Sequence, residues 1–226
     1  MTGEATVVKN AGSHFMLSLL PEWNPFPAVL KGRVRLKSSE ATNPVAVGDR
    51  VRFETDMDDA ADITLTHPAL ITEVLDRKNY VIRKSTNLSR QSHVIAANID
   101  MAFAVVTLYF PEIKLPFLDR MLVTCEVYGV PVTIVMNKVD LYGKEAPEAV
   151  DNFINIYTKA GYRVVQASAK TGEGIDGLRS ICDGKVCLFS GESGVGKSSL
   201  IKALDPSLDP KIGKISIAHL QGKHTT

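Results

Sequence analysis

Cysteine is scarce. The 226 residues contain three, Cys125, Cys182 and Cys187. No two of them form a short pair, and none has a histidine at zinc-ligand spacing, so a zinc site within this sequence is not expected. Each sits among apolar neighbours, where a free cysteine behaves as a small core residue, and thiols kept this way suit a reducing compartment. Long apolar runs are also missing. None approaches the ~18 residues of a membrane helix, and residues 1–10 carry no signal-peptide core. There is no lipidation motif and no amphipathic membrane helix. The expectation is a soluble cytoplasmic protein without a membrane partner. Charge of one sign is absent as well: 26 Lys and Arg against 25 Asp and Glu leave a formal net charge of +1. A nucleic-acid surface therefore has to come from local clusters.

What is present divides at about residue 98. Residues 1–72 show short apolar runs, such as Phe15-Met16-Leu17, Val45-Ala46-Val47 and Val51-Arg52-Phe53, between turn-forming residues. That spacing predicts strands closing into a small barrel of the OB-fold kind. Val47-Gly48-Asp49-Arg50-Val51 reads as a tight turn feeding a strand, and residues 54–62 as an acidic solvated loop. Residues 73–97 read as a connector. From 98 to 226 strand-like runs alternate with helical patterns, which predicts an α/β domain on a parallel sheet. Strands are expected at 101–108, 131–136, 162–167 and 186–189. Helices are expected around 117–125, 150–157, 175–181 and 197–204.

Three motifs fall at strand-to-loop junctions of this second region. Gly191-Glu192-Ser193-Gly194-Val195-Gly196-Lys197-Ser198 fits G-x-x-x-x-G-K-[ST] between a strand and a helix. Its glycines let backbone N–H groups turn toward phosphate, and the helix N-terminus adds partial positive charge. Lys197 should reach the β- and γ-phosphates, Ser198 should hold Mg²⁺, and Ser199 completes the binding run. Asn137-Lys138-Val139-Asp140 chooses the base. A carboxylate can accept from guanine N1–H and the exocyclic amine together, a donor pair that adenine lacks. Lys138 can lay its stem on the base, and Asn137 can tie this loop to the phosphate loop. Ser168-Ala169-Lys170 ends the following strand, where a backbone N–H could meet guanine O6.

The order of the motifs is cyclically shifted relative to an ordinary GTPase. Base reading comes first, Ser-Ala-Lys second and the phosphate loop last, as in a circularly permuted domain, which nearby termini make tolerable. The chain resembles the ribosome small subunit-dependent GTPases, the RsgA, YjeQ or EngC family, over essentially its whole length. Beside the three motifs, the resemblance is carried by Asn43-Pro44-Val45-Ala46-Val47-Gly48-Asp49, Arg83-Lys84-Ser85-Thr86-Asn87-Leu88-Ser89-Arg90-Gln91 and Gly222-Lys223-His224-Thr225-Thr226. It implies a Mg²⁺-dependent GTPase, cycling between GTP and GDP, that is stimulated by the small ribosomal subunit, acts late in its assembly and binds its rRNA.

It also implies that Thr225 or Thr226 belongs to switch I and reaches Mg²⁺. His224 could position the attacking water, whereas His14, His67, His93 and His219 read as surface or core residues. No D-x-x-G follows the phosphate loop, and the family's zinc-binding C-terminal domain has no counterpart in this sequence. The expectation is therefore a fragment that binds GDP, hydrolyses GTP poorly and leaves 186–189 as an apolar edge strand.

Basic residues cluster at Lys31, Arg33, Arg35, Lys37, Arg50 and Arg52, and again at Arg77, Lys78, Arg83, Lys84 and Arg90. Phe53 and Tyr80 are the nearest aromatics. Such blocks can form the groove by which an OB-fold takes up single-stranded nucleic acid. Two readings follow. One is a GTPase serving as a checkpoint in subunit assembly. The other is a nucleotide-gated RNA-binding module in which hydrolysis is incidental. A monomer is expected in either case.

Overall fold

A computed structural model describes residues 1–32, 44–84 and 92–208. It divides into two compact units, Met1–Asn98 and Ile99–Thr226.

In the first unit, β1 (Thr2–Ala11), β2 (His14–Ser18), β3 (Phe26–Leu30), β4 (Arg50–Glu54) and β5 (Ala69–Val74) form a closed barrel in the order β1-β2-β3-β5-β4. The period-2 alternation of strands fills it. Val51 and Phe53 point inward and are buried, while Arg50 and Arg52 between them are exposed. Phe15, Leu17, Phe26 and Ile71 join them in one core. Two further strands, β6 (Tyr80–Lys84) and β7 (Ser92–Ala97), pair as a separate antiparallel hairpin within the segment expected to be a connector.

The run Val45-Ala46-Val47 is not a strand. It is a buried turn whose only ladder contact is an isolated bridge from Val47 to Ala96. Asn10 Nδ2 donates to Val45 O at 2.8 Å and Ala97 N–H to Val47 O at 2.9 Å, and just past the run Gly48 N–H donates to Val7 O and Val7 N–H to Asp49 O, each at 2.8 Å. The fully buried Asp49 carboxylate accepts from Ala46 N–H at 2.8 Å and from the Arg77 fork at 2.6 and 2.7 Å.

The second unit is a parallel sheet of β8 (Met101–Val106), β9 (Val132–Met136), β10 (Arg163–Gln166) and β11 (Cys187–Ser190), ordered β10-β9-β8-β11. Among the described residues five helices accompany it: α1 (Leu115–Val127), α2 (Val139–Tyr142), α3 (Pro147–Lys159), α4 (Ile175–Cys182) and α5 (Lys197–Leu204). Alternate residues of β8 serve opposite faces. Ala104 and Val106 pack with Leu118, Leu122 and Phe153 of α1 and α3. Phe103 and Val105 pack with Leu178 and Leu200 of α4 and α5. Covering both faces explains why these strands read as unbroken apolar runs. Among the described residues β11 is the sheet's edge, as expected, but Leu188 and Phe189 are buried rather than exposed. The sheet delivers the three motifs to one end, because in parallel strands every C-terminus faces the same way.

Candidate nucleotide site

Asn137 is the junction of the site. It follows β9, is 1% exposed, and its amide faces two other loops. Asn137 Nδ2 donates to Val195 O of the phosphate loop at 2.8 Å, and its Oδ1 accepts from Ala169 N–H at 3.3 Å. The next residue, Lys138, adopts a left-handed backbone with φ 64°. That conformation is costly for a residue with a Cβ, and the surrounding bonds must impose it. The Lys138 ammonium supplies two of them, donating to Phe110 O and Gly194 O, each at 2.7 Å. The turn then enters α2, where Asp140 is exposed to solvent and its Oδ1 accepts from the buried Ser168 hydroxyl at 2.7 Å. The Ser168 hydroxyl oxygen also accepts from Thr171 N–H at 3.1 Å, which folds the 168–171 turn beneath the carboxylate.

The phosphate loop joins β11 to α5. Lys197 is half-buried, and its ammonium donates to Gly191 O at 2.9 Å and Glu192 O at 2.6 Å. Burial holds its pKa below the ordinary lysine value, opposed by the nearby charge of Glu192. An anion placed within reach of this ammonium would offset that desolvation. The Glu192 side chain turns away from Lys197 to pair with Lys114 at 2.9 Å. Ser193 and Ser199 are exposed, and Ser198 is partly buried at the start of α5.

A cavity of about 430 Å³ opens over these groups. Asn137, Lys138, Asp140 and Leu141 line one side, Ser168, Ala169 and Lys170 another, and Gly196 and Ser199 the floor. The size lies in the range of small-ligand sites. The residues lining it fit a guanine base, with the Asp140 carboxylate as acceptor and the Lys138 stem beside it, and Gly196 and Ser199 bring the phosphate loop to its edge. The structure thus brings together residues 137, 138, 140, 168–170 and 191–199. Thr225, Thr226 and His224 lie outside the described residues, as do Arg33, Arg35, Lys37 and Arg90. Among the described residues no cluster of three or more His, Cys, Asp and Glu could hold a metal ion, and no helix is long and apolar enough to cross a membrane.

Comparison with known proteins agrees with the geometry. The family described as RsgA GTPase matches residues 74–226. This chain belongs to the RsgA GTPase family. Among curated members, the small ribosomal subunit biogenesis GTPase RsgA of Bacteroides fragilis is 46% identical over 220 residues, covering 97% of this chain and 68% of the relative. Its counterpart in Porphyromonas gingivalis is 43% identical over 223 residues, covering 99% and 69%. The chain therefore spans about two thirds of each relative's length. The crystal structure of YjeQ from Thermotoga maritima superposes with a TM-score of 0.71 at 31% identity, over 92% of this chain and 67% of that one. YloQ, a circularly permuted GTPase, does so with a TM-score of 0.63 at 21% identity, over 93% and 66%, and so agrees in fold.

Sequence reading missed three contributors to the site. The Phe110 carbonyl anchors Lys138, and Lys114 holds Glu192. Tyr142 is buried two residues after Asp140 and donates to Asn137 O at 2.8 Å. A carbonyl carries no side-chain signature, and Lys114 lies 78 residues from its partner. Only its position at the end of the base-reading turn could have drawn attention to Tyr142.

The basic clusters also look different in three dimensions. Arg50 pairs with Glu4 at 2.8 Å, Arg52 with Glu73 at 2.7 Å, and Lys31 with Glu54. Arg77 is committed to Asp49. These described cations are balanced by acids far off in sequence, Glu4 and Glu73 on the strands that flank β4, so the barrel's block of positive charge is smaller than the sequence suggests.

Proposed function

We propose that this chain hydrolyses GTP in the maturation of the small ribosomal subunit, holding the nucleotide at residues 137–140, 168–170 and 191–199. The observation that carries the reading is the Asn137 amide, which joins the base-reading turn, the Ala169 backbone and the phosphate loop into one site. Asp140 accepts from the paired donors of guanine, the stem of Lys138 lies along the base, and a backbone N–H of the 168–170 loop serves O6. Lys197 exchanges its loop carbonyls for phosphate oxygens. Ser198 is the Mg²⁺ ligand of α5, joined by Thr225 or Thr226. Held there, Mg²⁺ would supply positive charge against the phosphates. Membership of the RsgA family and the names of its relatives support the small subunit as partner. A cytoplasmic monomer that contacts rRNA is the accompanying proposal, with zinc confined to a further domain.

GTP turnover with and without purified small subunits tests the hydrolytic role. Turnover that subunits leave unchanged would favour the RNA-binding module. Lys197→Ala should raise the Kd for GTP about tenfold or more, the scale of a lost charge-assisted bond. Ser198→Ala should lose turnover and the Mg²⁺ dependence of GTP binding while GTP affinity without Mg²⁺ stays the same. Equal affinity for GTP in wild type and Lys197→Ala would sink the phosphate assignment.

For RNA, Arg33 and Arg35 are the informative positions. Arg52→Glu would set a third carboxylate beside Glu4 and Glu73, both now within reach of Arg52, and would confuse destabilisation with lost binding. Arg33→Glu with Arg35→Glu should weaken co-sedimentation with small subunits and flatten its salt dependence, because fewer counterions are released. GDP affinity should be unchanged. Full pelleting by that double variant would remove the barrel from the interface.

A further inference from the structure

Tyr142 belongs to none of the sequence motifs, yet its hydroxyl is buried where two loops of the site begin. The residue is 2% exposed and closes α2, the single turn that carries Asp140. Its hydroxyl donates to Asn137 O at 2.8 Å. The Leu108 backbone N–H, just beyond β8, faces the same oxygen. A phenol can donate one bond and accept another, so this side chain spans the loops that leave β8 and β9. Its ring meets Tyr109 edge-on, with centroids 5.9 Å apart.

Those two loops carry the base-reading apparatus. After β9 come Asn137, Lys138 and Asp140. After β8 comes the segment whose Phe110 carbonyl anchors the Lys138 ammonium. Lys138 sits at φ 64°, so the turn keeps its shape through bonds to its neighbours rather than through its own preference. Burial, with the Asp140 charge adding to it and the Leu108 N–H opposing, pushes the Tyr142 hydroxyl up to about 12, so it remains a donor at neutral pH.

We infer that Tyr142 is a positioning residue for base selection: its hydroxyl locks the 137–140 turn against the 107–114 loop, so that the Asp140 carboxylate meets both donors of guanine at once. The inference rests on the assignment of Asp140 to the base. It predicts a defect confined to base recognition, with phosphate binding untouched.

The test is Tyr142→Phe in the full chain, which keeps the ring and removes the hydroxyl. Dissociation constants for GDP, IDP and ADP are measured by calorimetry beside thermal melting. IDP lacks the exocyclic amine, so the GDP-to-IDP ratio reports how well Asp140 engages its second donor. GDP binding should weaken about five- to thirtyfold, the scale of one buried hydrogen bond, while ADP binding stays constant. The GDP-to-IDP ratio should fall toward one. In an Asp140→Ala background the same substitution should add little further loss. An unchanged ratio, or equal losses for GDP and ADP, would overturn the inference and leave Tyr142 a packing residue. Wild-type protein that bound ADP as tightly as GDP would instead overturn the base assignment itself, before any variant is made.

Discussion

Asp140→Asn should turn a guanine site into a xanthine site. In the proposed site the carboxylate accepts two donors from guanine, whereas an amide of the same shape offers one acceptor and presents its NH₂ where the second acceptor stood. Loss of that charge-assisted bond should weaken GDP about ten- to a hundredfold. Xanthine carries a carbonyl in place of the exocyclic amine, so XDP should bind the variant better than wild type. The exchange should leave the turn intact, because the bond from the Ser168 hydroxyl at 2.7 Å needs only one oxygen, and the amide keeps it. Competition of GDP, XDP and ADP for one fluorescent nucleotide reads all three affinities. A variant that still preferred GDP to XDP by the wild-type margin would place guanine recognition elsewhere.

Gly196→Ala should cost more. A Cβ at residue 196 would lie 2.3 Å from Asn137 Nδ2, and the backbone there has φ +93°, where a side chain is strained in any case. The methyl must displace the amide that holds Val195 O, so the phosphate loop and the base-reading turn separate. One buried hydrogen bond together with the backbone strain amounts to roughly 3 kcal/mol, or about a hundredfold in GTP affinity. Gly194→Ala is the internal comparison. Its φ of +82° is similarly unfavourable, but the added carbon meets only Pro111 at 3.7 Å. It should lose about tenfold, strain without collision. Trimming the obstacle should relieve the larger defect, so Gly196→Ala added to Asn137→Ala should change affinity far less than it does alone. Equal losses in Gly194→Ala and Gly196→Ala would mean that the Asn137 contact contributes nothing to binding.

The nucleotide motifs were legible because chemistry leaves them little freedom. Phosphate needs inward N–H groups and a cation, guanine needs a carboxylate, and both need the open end of a parallel sheet. The buried α/β strands were legible for a similar reason: two covered faces demand continuous apolar residues, as in β8. What escaped depends on partners far along the chain. Val45-Ala46-Val47 has a strand's composition, but its backbone bonds go to Asn10, Asp49 and Ala97 rather than to a neighbouring strand's ladder. The β6–β7 hairpin lies in a stretch too weakly patterned to declare itself. Most telling are the arginines of β4. They read as a basic block beside Lys31, yet Glu4 and Glu73 face them from the strands on either side. Linear sequence lists charges by neighbour in the chain, whereas the electrostatic field depends on neighbours in space.

The bonds of Asn137 also bear on the order in which the chain is made. Its partners Ala169 and Val195 lie 32 and 58 residues further along. Contacts at such separations require loop closure before they are rewarded, and domains emerge from the ribosome N-terminus first at about 5–20 residues per second. In an unpermuted GTPase the phosphate loop is translated early and waits for the base-reading turn. Here the turn around Asn137 is made first, Ala169 joins it next, and the loop that grips phosphate arrives last. Nucleotide therefore cannot act as a template for the early steps of folding. The parallel sheet must assemble through β11 on its own packing energy before GTP has anything to stabilise.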